Sequence, residues 1–378
     1  MITQAPRSAP WSLIGFLVKA STYFTVFTFT VVLGCTSQDT PLSIASFSVG
    51  ADSSVSGTLQ KQEDLRDSLL VEDVPFFQDI RLQLMLHYML FQLEQRNLPT
   101  EKISMSLVKL DSQCCSYAGF NDRIPRYPAS LVKLFWLVNL YDQYRTNQLE
   151  ENTVSEIDVH WMIASSDNDS ASRIMDAITQ TESGDRLPPE ELEVWMNQRL
   201  ALNQYFELFG YQDINISQKT FPISSLGLDF HTGREEQLRG NNSDPVRNYL
   251  TTYATARLLY EIQTDKILSP RYTQRIKSHL QREIYPTASQ VQGFLGGGLP
   301  SNYHLYSKAG WTSSNRNDAA IIDPGDGKSP YILVVFGDDP AFQNDEQVFP
   351  LIAATIDQLM SNWDGYEFDR FMEDYALN

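Results

Sequence analysis

The chain has 378 residues, of which 42% are hydrophobic and 12% aromatic, which suffices for a large folded core and excludes a mostly disordered chain. The formal net charge is −18 at pH 7, and so acidic a surface repels phosphate backbones, which argues against nucleic-acid binding. Three cysteines, two of them adjacent at Cys114 and Cys115, and five scattered histidines predict neither a disulfide framework nor a metal site, and we expect no cofactor.

Residues 1–35 are predicted to lie outside the folded domain. They carry Arg7 and Lys19 but no acidic side chain, and an apolar run of signal-peptide length ends at Cys35. The end of this segment resembles the lipobox of bacterial lipoproteins, in which a cysteine after a small residue is acylated. The alternative is an uncleaved membrane anchor over residues 11–34. Both interpretations give a membrane contact through the N-terminal segment and place the remainder in the cell envelope, extracytoplasmic or periplasmic.

Residues 36–74 are rich in Ser, Thr, Asp and Gly and contain few large apolar side chains. Such a composition predicts a flexible linker. From residue 75 the composition is that of a globular domain, which we expect to extend to residue 378.

Hydrophobic periodicity predicts an ordered series of helices and strands along this domain. A strongly apolar helix at 78–95 comes first, and strands at 103–111 and 114–120 follow it. The next helices are expected from Ser130 onward and at 156–164, 170–180, 189–206, 249–263 and 269–283, with an irregular stretch at 207–248. Strands at 303–308, 317–322 and 331–337 and a helix at 347–363 complete the series.

This segregated order predicts an α/β fold of the α+β sandwich type. We expect an antiparallel five-stranded sheet, with the N- and C-terminal helices on one face and an inserted all-helical lobe at about residues 130–283. An irregular stretch as long as 207–248 is usually functional or mobile within a compact domain.

The tetrapeptide Ser-Leu-Val-Lys occurs twice, and its two copies predict different environments. Ser106 and Lys109 fall in an alternating strand, where residues three apart point to opposite faces. Ser130 and Lys133 follow a proline at the start of a helix, where residues three apart are neighbours. A lysine with a depressed pKa can take the proton of a serine hydroxyl, so this second copy is the candidate nucleophile and base. The alternative for Ser130 is a simple helix cap.

Two further motifs follow in order, Ser166-Asp167-Asn168 in a helical segment and Lys308-Ala309-Gly310 on a predicted strand. Together with Ser130 and Lys133 they resemble the ordered motif set of class A β-lactamases and penicillin-binding proteins. The resemblance extends from about residue 78 to about residue 363, and the spacing favours the class A type. Each motif alone is a common turn, cap or edge-strand sequence.

The resemblance implies a role for each matched position. It implies catalytic roles for Ser130 as acylated nucleophile, Lys133 as its base, Ser166 as proton shuttle to the leaving nitrogen and Lys308 as the positive charge beside Ser166. It implies substrate contacts for Asn168, Gly310, Trp311 and Thr312, with the backbone N–H groups of Ser130 and Trp311 forming an oxyanion hole. Asp167 is expected to shape the turn.

The sequence departs from the family pattern in three places. The interval between Ser130 and Ser166 is short, so part of the helical lobe is expected to be missing there. Ala309 replaces a hydroxyl residue that would bind a substrate carboxylate, although Thr312 could substitute for it. The Glu-x-x-Leu-Asn motif that supplies the deacylating base is matched only by the run that begins at Glu235 and ends at Arg239. The alternative for Glu235 is an ordinary exposed loop residue.

The sequence therefore predicts a serine hydrolase of the class A β-lactamase type, acylated at Ser130 by a β-lactam or a related peptidoglycan-derived substrate. One alternative is a D,D-peptidase-like penicillin-binding protein that deacylates slowly. Another is a non-catalytic envelope lipoprotein that uses the same fold for binding.

Overall fold

The computed structural model describes residues 76–111, 115–240, 243–285, 289–325 and 327–362. The predicted signal or anchor segment at 1–35 and the predicted linker at 36–74 lie outside these residues. No helix in the described part has the length and apolar character needed to cross a bilayer. Buried Cys115 is disulfide-bonded. Sequence patterns predicted no disulfide framework and did not anticipate this bond, since adjacent cysteines bridge only with strained geometry.

A mixed sheet organises the domain, with strand order β1-β3-β2-β7-β6-β5-β4. The strands are β1 (Phe77–Gln78), β2 (Ile103–Lys109), β3 (Ser116–Phe120), β4 (Gln281–Arg282), β5 (His304–Thr312), β6 (Asn315–Asp323) and β7 (Tyr331–Gly337). The five central strands, β3, β2, β7, β6 and β5, pair antiparallel to one another. The prediction that the whole sheet has five strands and is antiparallel is wrong. The described residues form seven strands, and β1 runs parallel to β3. The two additional edge strands have two residues each, too few to produce a detectable alternation.

One face of the sheet is covered by the first and last long helices, α1 (Ile80–Glu94) and α11 (Val348–Ser361). Neither helix contains an interior glycine, and the apolar stripe of each packs on alternate strand residues such as Leu107 and Leu333. Two short helices, α9 (Ser289–Gln292) and α10 (Pro340–Asn344), contribute Val291 and Phe342 to the same apolar core. The sandwich arrangement of terminal helices on one face agrees with the sequence.

The other face carries the helical lobe, whose helices all lie between β3 and β5 in the chain. They are α2 (Val132–Arg145), α3 (Glu156–Ala164), α4 (Asn168–Thr179), α5 (Pro189–Leu208), α6 (Gly233–Arg239), α7 (Thr252–Gln263) and α8 (Pro270–Leu280). The central helix, α2, is buried along nearly its whole length. It packs against the strand residues that point to this face of the sheet, including Ile321 and Val334. These residues alternate along the strands with those that face α1 and α11. The sheet thus separates two cores.

The stretch at 207–248 was expected to be irregular, and the structure gives it specific anchors. It contains helix α6, and Asn215 within it pairs through a bridge with Tyr249, the residue that follows the stretch. The Asn248 amide accepts from the backbone N–H of Gln218 and donates to its carbonyl, at 2.9 and 2.7 Å. Hydrogen bonds from polar side chains to the backbone take the place of regular helix or sheet hydrogen bonds in this stretch. Because such contacts leave no periodic pattern in the sequence, the sequence did not predict them.

Candidate active site

The turn that carries Ser130 precedes the central helix rather than belonging to it. Residues Ala129–Leu131 form a single 3₁₀ turn, and α2 begins at Val132. Ala129 has a φ of 49°, a left-handed conformation that residues with a side chain seldom adopt. Such strain persists where neighbouring structure fixes it, and it is common at functional sites. The turn therefore presents Ser130 at the buried N-terminal end of α2.

The side chain of Lys133 is fully buried and reaches the second motif. Its Nζ donates to the backbone carbonyl of Ser166 and to Oδ1 of Asn168, both at 2.7 Å. Helical spacing predicts a contact between the Lys133 amine and Ser130. Within the described residues, the hydrogen bonds of this amine go instead to the Ser166–Asn168 motif. Two motifs that are 33 residues apart in the sequence are thereby joined at one ammonium group.

Burial lowers the pKa of Lys133 to about 7, because the charged ammonium group is removed from water. The charge of Asp167 acts in the opposite direction and offsets only part of this effect. A large fraction of Lys133 is consequently neutral at physiological pH, which is the form that can accept a proton.

Ser166 lies in the tight turn between α3 and α4, with a φ of 59°. Lys308 donates to its hydroxyl at 2.7 Å, while Lys133 donates to its carbonyl. Asp167 caps α4 by accepting from the N–H of Ser170 at 2.7 Å, so it shapes the turn. The cap places Asn168 in the first turn of α4, with its Oδ1 held by Lys133. The site thus contains a continuous set of hydrogen bonds from Lys133 through Ser166 to Lys308.

Lys308, on β5, is 1% exposed, and its pKa is well below the ordinary lysine value. Burial is the main cause, and the positive charges of Lys133 and Arg282 add to it. Asp318 opposes the shift. The side chain also donates to the carbonyl of Ala309 at 2.6 Å, which fixes its direction along the strand.

Gly310 brings β5 into direct contact with the Ser130 turn. A Cβ at this position would lie 2.6 Å from the carbonyl oxygen of Pro128 and 2.9 Å from the backbone nitrogen of Ser130. Only glycine permits this approach. Strand β4 pairs with β5 only at Leu305 and Tyr306, so the edge of β5 next to the turn is not covered by β4. The backbone of Trp311 follows directly along this edge, beside Ser130.

The hydroxyl of Thr312 is part of the turn that ends β5. It donates to Oδ1 of Asn315 at 2.7 Å and accepts from the N–H of Ser314. Asn315 and Asn317 both donate their side-chain amides to the carbonyl of Tyr127, which fixes the segment just before Ser130. Thr312 therefore has a structural use that sequence reasoning did not anticipate.

The model of the β-lactamase enzyme family matches residues 94–360. The chain belongs to the β-lactamase enzyme family. That match covers every motif described above, and with the geometry it supports a β-lactamase-like serine hydrolase. A search of the curated proteins gives no match to this chain.

Solved structures share the fold at low sequence identity. A β-lactamase from Chitinophaga pinensis DSM 2588 is 16% identical, with a TM-score of 0.52 over 72% of this chain and 97% of that one. A point mutant of the class A β-lactamase of the last common ancestor of Gram-negative bacteria is 16% identical, with a TM-score of 0.52 over 74% and 99%. A point mutant of PBP-A, in an acyl-enzyme complex with penicillin G, is 16% identical, with a TM-score of 0.50 over 74% and 96%.

Glu235, the candidate deacylating base of this family member, is fully buried, so the expectation of an exposed loop residue is wrong. Arg199 binds both its carboxylate oxygens, at 3.0 and 3.1 Å, and the Ser183 hydroxyl donates to it at 2.8 Å. Burial alone would raise its pKa, but Arg199 and Lys219 hold the pKa below the ordinary value. A carboxylate held in this way is a poor base, and it anchors α6 instead.

Half-buried Arg282 and buried Asp318 are charged residues near Lys308 that sequence reasoning missed. Arg282 sits on the two-residue strand β4 and donates to the carbonyl of Ile163 at 2.9 Å. Asp318 accepts from the backbone N–H groups of Leu295 and Ala319, and burial raises its pKa to about 7. Asp318 directly precedes the apolar run 319–322 of β6, and this position was the one available signal for it.

We expect Glu235→Gln to lower the free energy of unfolding by about 3 kcal/mol, because it leaves Arg199 buried without its main counter-charge. Glu236→Gln is the matched control on the same helix, since that exposed carboxylate pairs with exposed Arg186. The control is expected to cost less than about 1 kcal/mol. Urea unfolding followed by circular dichroism measures both, and equal losses in the two variants would contradict the anchoring role.

Proposed function

We propose that this chain is an acyl-transferring serine hydrolase with Ser130 as the nucleophile and Lys133 as its base. The observation that carries the proposal is the convergence of Lys133, Ser166 and Lys308 in one hydrogen-bond set, beside a strand edge that Gly310 packs onto the Ser130 turn. A nucleophile with a buried, partly neutral amine three residues away fits nucleophilic catalysis.

The proposed reaction starts with attack of the Ser130 Oγ on the substrate carbonyl, while its proton passes to neutral Lys133. The backbone N–H groups of Ser130 and Trp311 hold the developing oxyanion. Ser166 gives its hydroxyl proton to the leaving nitrogen or oxygen and takes up in return the proton that Lys133 removed from Ser130, while Lys308 keeps that hydroxyl in place. The Nδ2 group of Asn168 is directed to a substrate amide carbonyl, because its Oδ1 is bound to Lys133.

The proposed substrates are β-lactams and peptidoglycan-derived stem peptides, which share a reactive or accessible amide bond. The binding of the Glu235 carboxylate by Arg199 favours a second form of this function, a D,D-peptidase-like enzyme whose acyl-enzyme persists. Within the described residues, the hydrogen-bond partners of Lys133 and Lys308 include no carboxylate, and Glu235 is engaged by Arg199. Without a free carboxylate base, water attacks the acyl-enzyme slowly.

We also propose that the domain works outside the cytoplasm, in the cell envelope, attached through residues 1–35. The charge pattern and apolar run of that segment support this location. The disulfide at Cys115 agrees with an oxidising compartment.

Acylation is tested by intact mass spectrometry of the full chain incubated with a high concentration of benzylpenicillin. We expect a mass increase equal to one whole penicillin, because ring opening retains every atom, and peptide mapping should place it on Ser130. Ser130→Ala should remain unmodified while keeping its circular dichroism spectrum. An unmodified wild-type chain after prolonged incubation would favour a non-catalytic binding protein of the same fold.

The lifetime of the acyl-enzyme separates the two forms of the function. With a chromogenic cephalosporin we expect a burst close to one equivalent of enzyme, followed by a rate at least about 100-fold slower, the size of effect that one missing general base produces. Stopped-flow absorbance measures both phases. Sustained turnover without a burst would show that another group activates the water.

The rate of acylation should rise with pH through about 7, because Lys133 accepts a proton only when neutral and its pKa is about 7. The second-order rate constant for acylation, measured between about pH 5 and pH 9, should increase and then level off. Lys133→Arg, which stays protonated throughout this range, should be at least about 100-fold slower and should lose this rise. A wild-type profile that is flat over the whole range would exclude Lys133 as the base.

A further inference from the structure

Two buried asparagines of β6 reach the segment that leads into the Ser130 turn. Asn315 and Asn317 are two residues apart and lie on the face of the sheet that carries the helical lobe, as Ala319 of the same strand does. The exposed fractions of the two asparagines are 1% and 0%. Both donate an amide hydrogen to the backbone carbonyl of Tyr127, at 2.9 and 3.1 Å. Two buried amide groups thus hold one carbonyl oxygen.

This carbonyl belongs to the peptide bond before Pro128. Proline lacks a backbone N–H, so the Tyr127 oxygen is the only hydrogen-bonding atom by which the sheet can hold this peptide unit. The next residue, Ala129, has a φ of 49°, and a residue with a side chain keeps such a conformation only where the contacts around it fix it. The amides of Asn315 and Asn317 supply a contact of this kind just before the strained residue.

The strand next to β6 approaches the same turn. Gly310 of β5 is the ladder partner of Asn317. A Cβ on Gly310 would lie 2.6 Å from the carbonyl oxygen of Pro128 and 2.9 Å from the backbone nitrogen of Ser130. Paired positions on two adjacent strands therefore act on one short segment, since Gly310 permits its close approach and Asn317 holds the carbonyl that precedes it.

Arg126 fixes the beginning of this segment. Its backbone N–H donates to the carbonyl of Leu250 at 2.9 Å, and its own carbonyl accepts from the N–H of Leu250 at 3.0 Å. Its guanidinium group donates to the Ser104 hydroxyl at 2.6 Å. On the other side of the turn, helix α2 begins at Val132. The Tyr127 carbonyl lies in the short part of the chain between these two fixed ends.

The side-chain oxygen of Asn317 has no hydrogen-bond partner among the described residues. A backbone carbonyl only accepts, so the amide nitrogen must face Tyr127 and the side-chain oxygen is left without this contact. The neighbour of Asn317 on β7 is Phe336, a member of the apolar core beneath the helical lobe. A buried oxygen without a partner lowers stability, because its hydration is lost and no hydrogen bond offsets the loss. The side-chain oxygen of Asn315, in contrast, accepts from the Thr312 hydroxyl at 2.7 Å.

We propose that Asn317 is a positioning residue for the nucleophile, which serves the Ser130 turn although it lowers the stability of the fold. By holding the Tyr127 carbonyl it keeps Ala129 in the left-handed conformation, and it thereby sets the hydroxyl and the backbone N–H of Ser130 against the edge of β5. The inference rests on the proposed function, in which that hydroxyl attacks the substrate and that N–H holds the oxyanion. Asn315 provides the second hydrogen bond, so the carbonyl keeps a partner when Asn317 is replaced.

The test is Asn317→Leu, which keeps a similar shape and removes both polar atoms. Because Asn315 still binds the Tyr127 carbonyl and the unpartnered oxygen is gone, the urea midpoint of unfolding should stay the same or rise. The second-order rate constant for acylation by benzylpenicillin should nevertheless fall about 10-fold or more, since a misplacement of about 1 Å can cost about 100-fold in rate. An asparagine with a merely structural role would give a lower midpoint and an unchanged rate constant.

Asn317→Ala is a second variant, which removes the amide without the bulk of leucine and should slow acylation in the same way. Asn139→Leu is the matched control, because Asn139 is a buried asparagine of α2 whose side-chain oxygen accepts from Gln143. It should leave the rate constant for acylation unchanged. An unchanged rate constant in both Asn317 variants, or a lower urea midpoint for Asn317→Leu, would overturn the proposal.

Hydrogen–deuterium exchange, followed by mass spectrometry, separates the positioning role from the proposed function. The N–H of Leu131 donates to the carbonyl of Pro128 within the turn at 3.1 Å, so its exchange reports on opening of the turn. Peptides that contain this amide should exchange several-fold faster in Asn317→Leu than in the wild type. Faster exchange there, in a protein whose wild type is not acylated, would refute the proposed function and keep the positioning role. Exchange as slow as in the wild type would overturn the positioning role itself.

Discussion

Two ammonium groups buried around one serine set the constraint on which the rest of this structure depends. Lys133 donates to the carbonyl of Ser166, and Lys308 donates to its hydroxyl. Removing two such charges from water costs several kcal/mol, which hydrogen bonds alone offset only in part. The protein reduces this cost because both pKa values fall, so that part of the charge disappears. The fall in the pKa of Lys133 lowers the cost of its burial and also leaves part of the amine neutral, which is the form that can accept a proton.

The order of elements could be read from the sequence because each long helix and strand has a strong period. Apolar stripes define α1 and α11, and short apolar runs between turn residues define the five central strands. The motif residues could be placed because their spacing and order match a known set. The two-residue strands β1 and β4 carry no period, and sequence patterns therefore missed them. The disulfide at Cys115 was missed because adjacent cysteines bridge only with strained geometry, so that no disulfide framework was expected.

The finer geometry of the site could not be predicted, since it depends on contacts between distant segments. Helical spacing suggested that Lys133 would bond Ser130, but the amine is drawn to Ser166 and Asn168 on another turn. The Glu-rich sequence around Glu235 resembled an exposed surface, whereas Arg199 from α5 makes it a buried anchor. Ion pairs of this kind join residues that are tens of positions apart. Only the folded structure shows which charged residues pair, because the polarity of a residue does not specify its partner.

Alternation along β5 and β6 has a consequence for how the domain reaches its native state. Lys308 faces the helical lobe, and Asp318, which pairs with the next residue of β5, faces the opposite core. A slip of either strand by one residue would exchange these faces and place each charged group in the wrong apolar core. Misaligned pairings are therefore penalised by desolvation during folding, long before any substrate is present. Lys308 and Asp318 thus help to specify the register of β5 against β6.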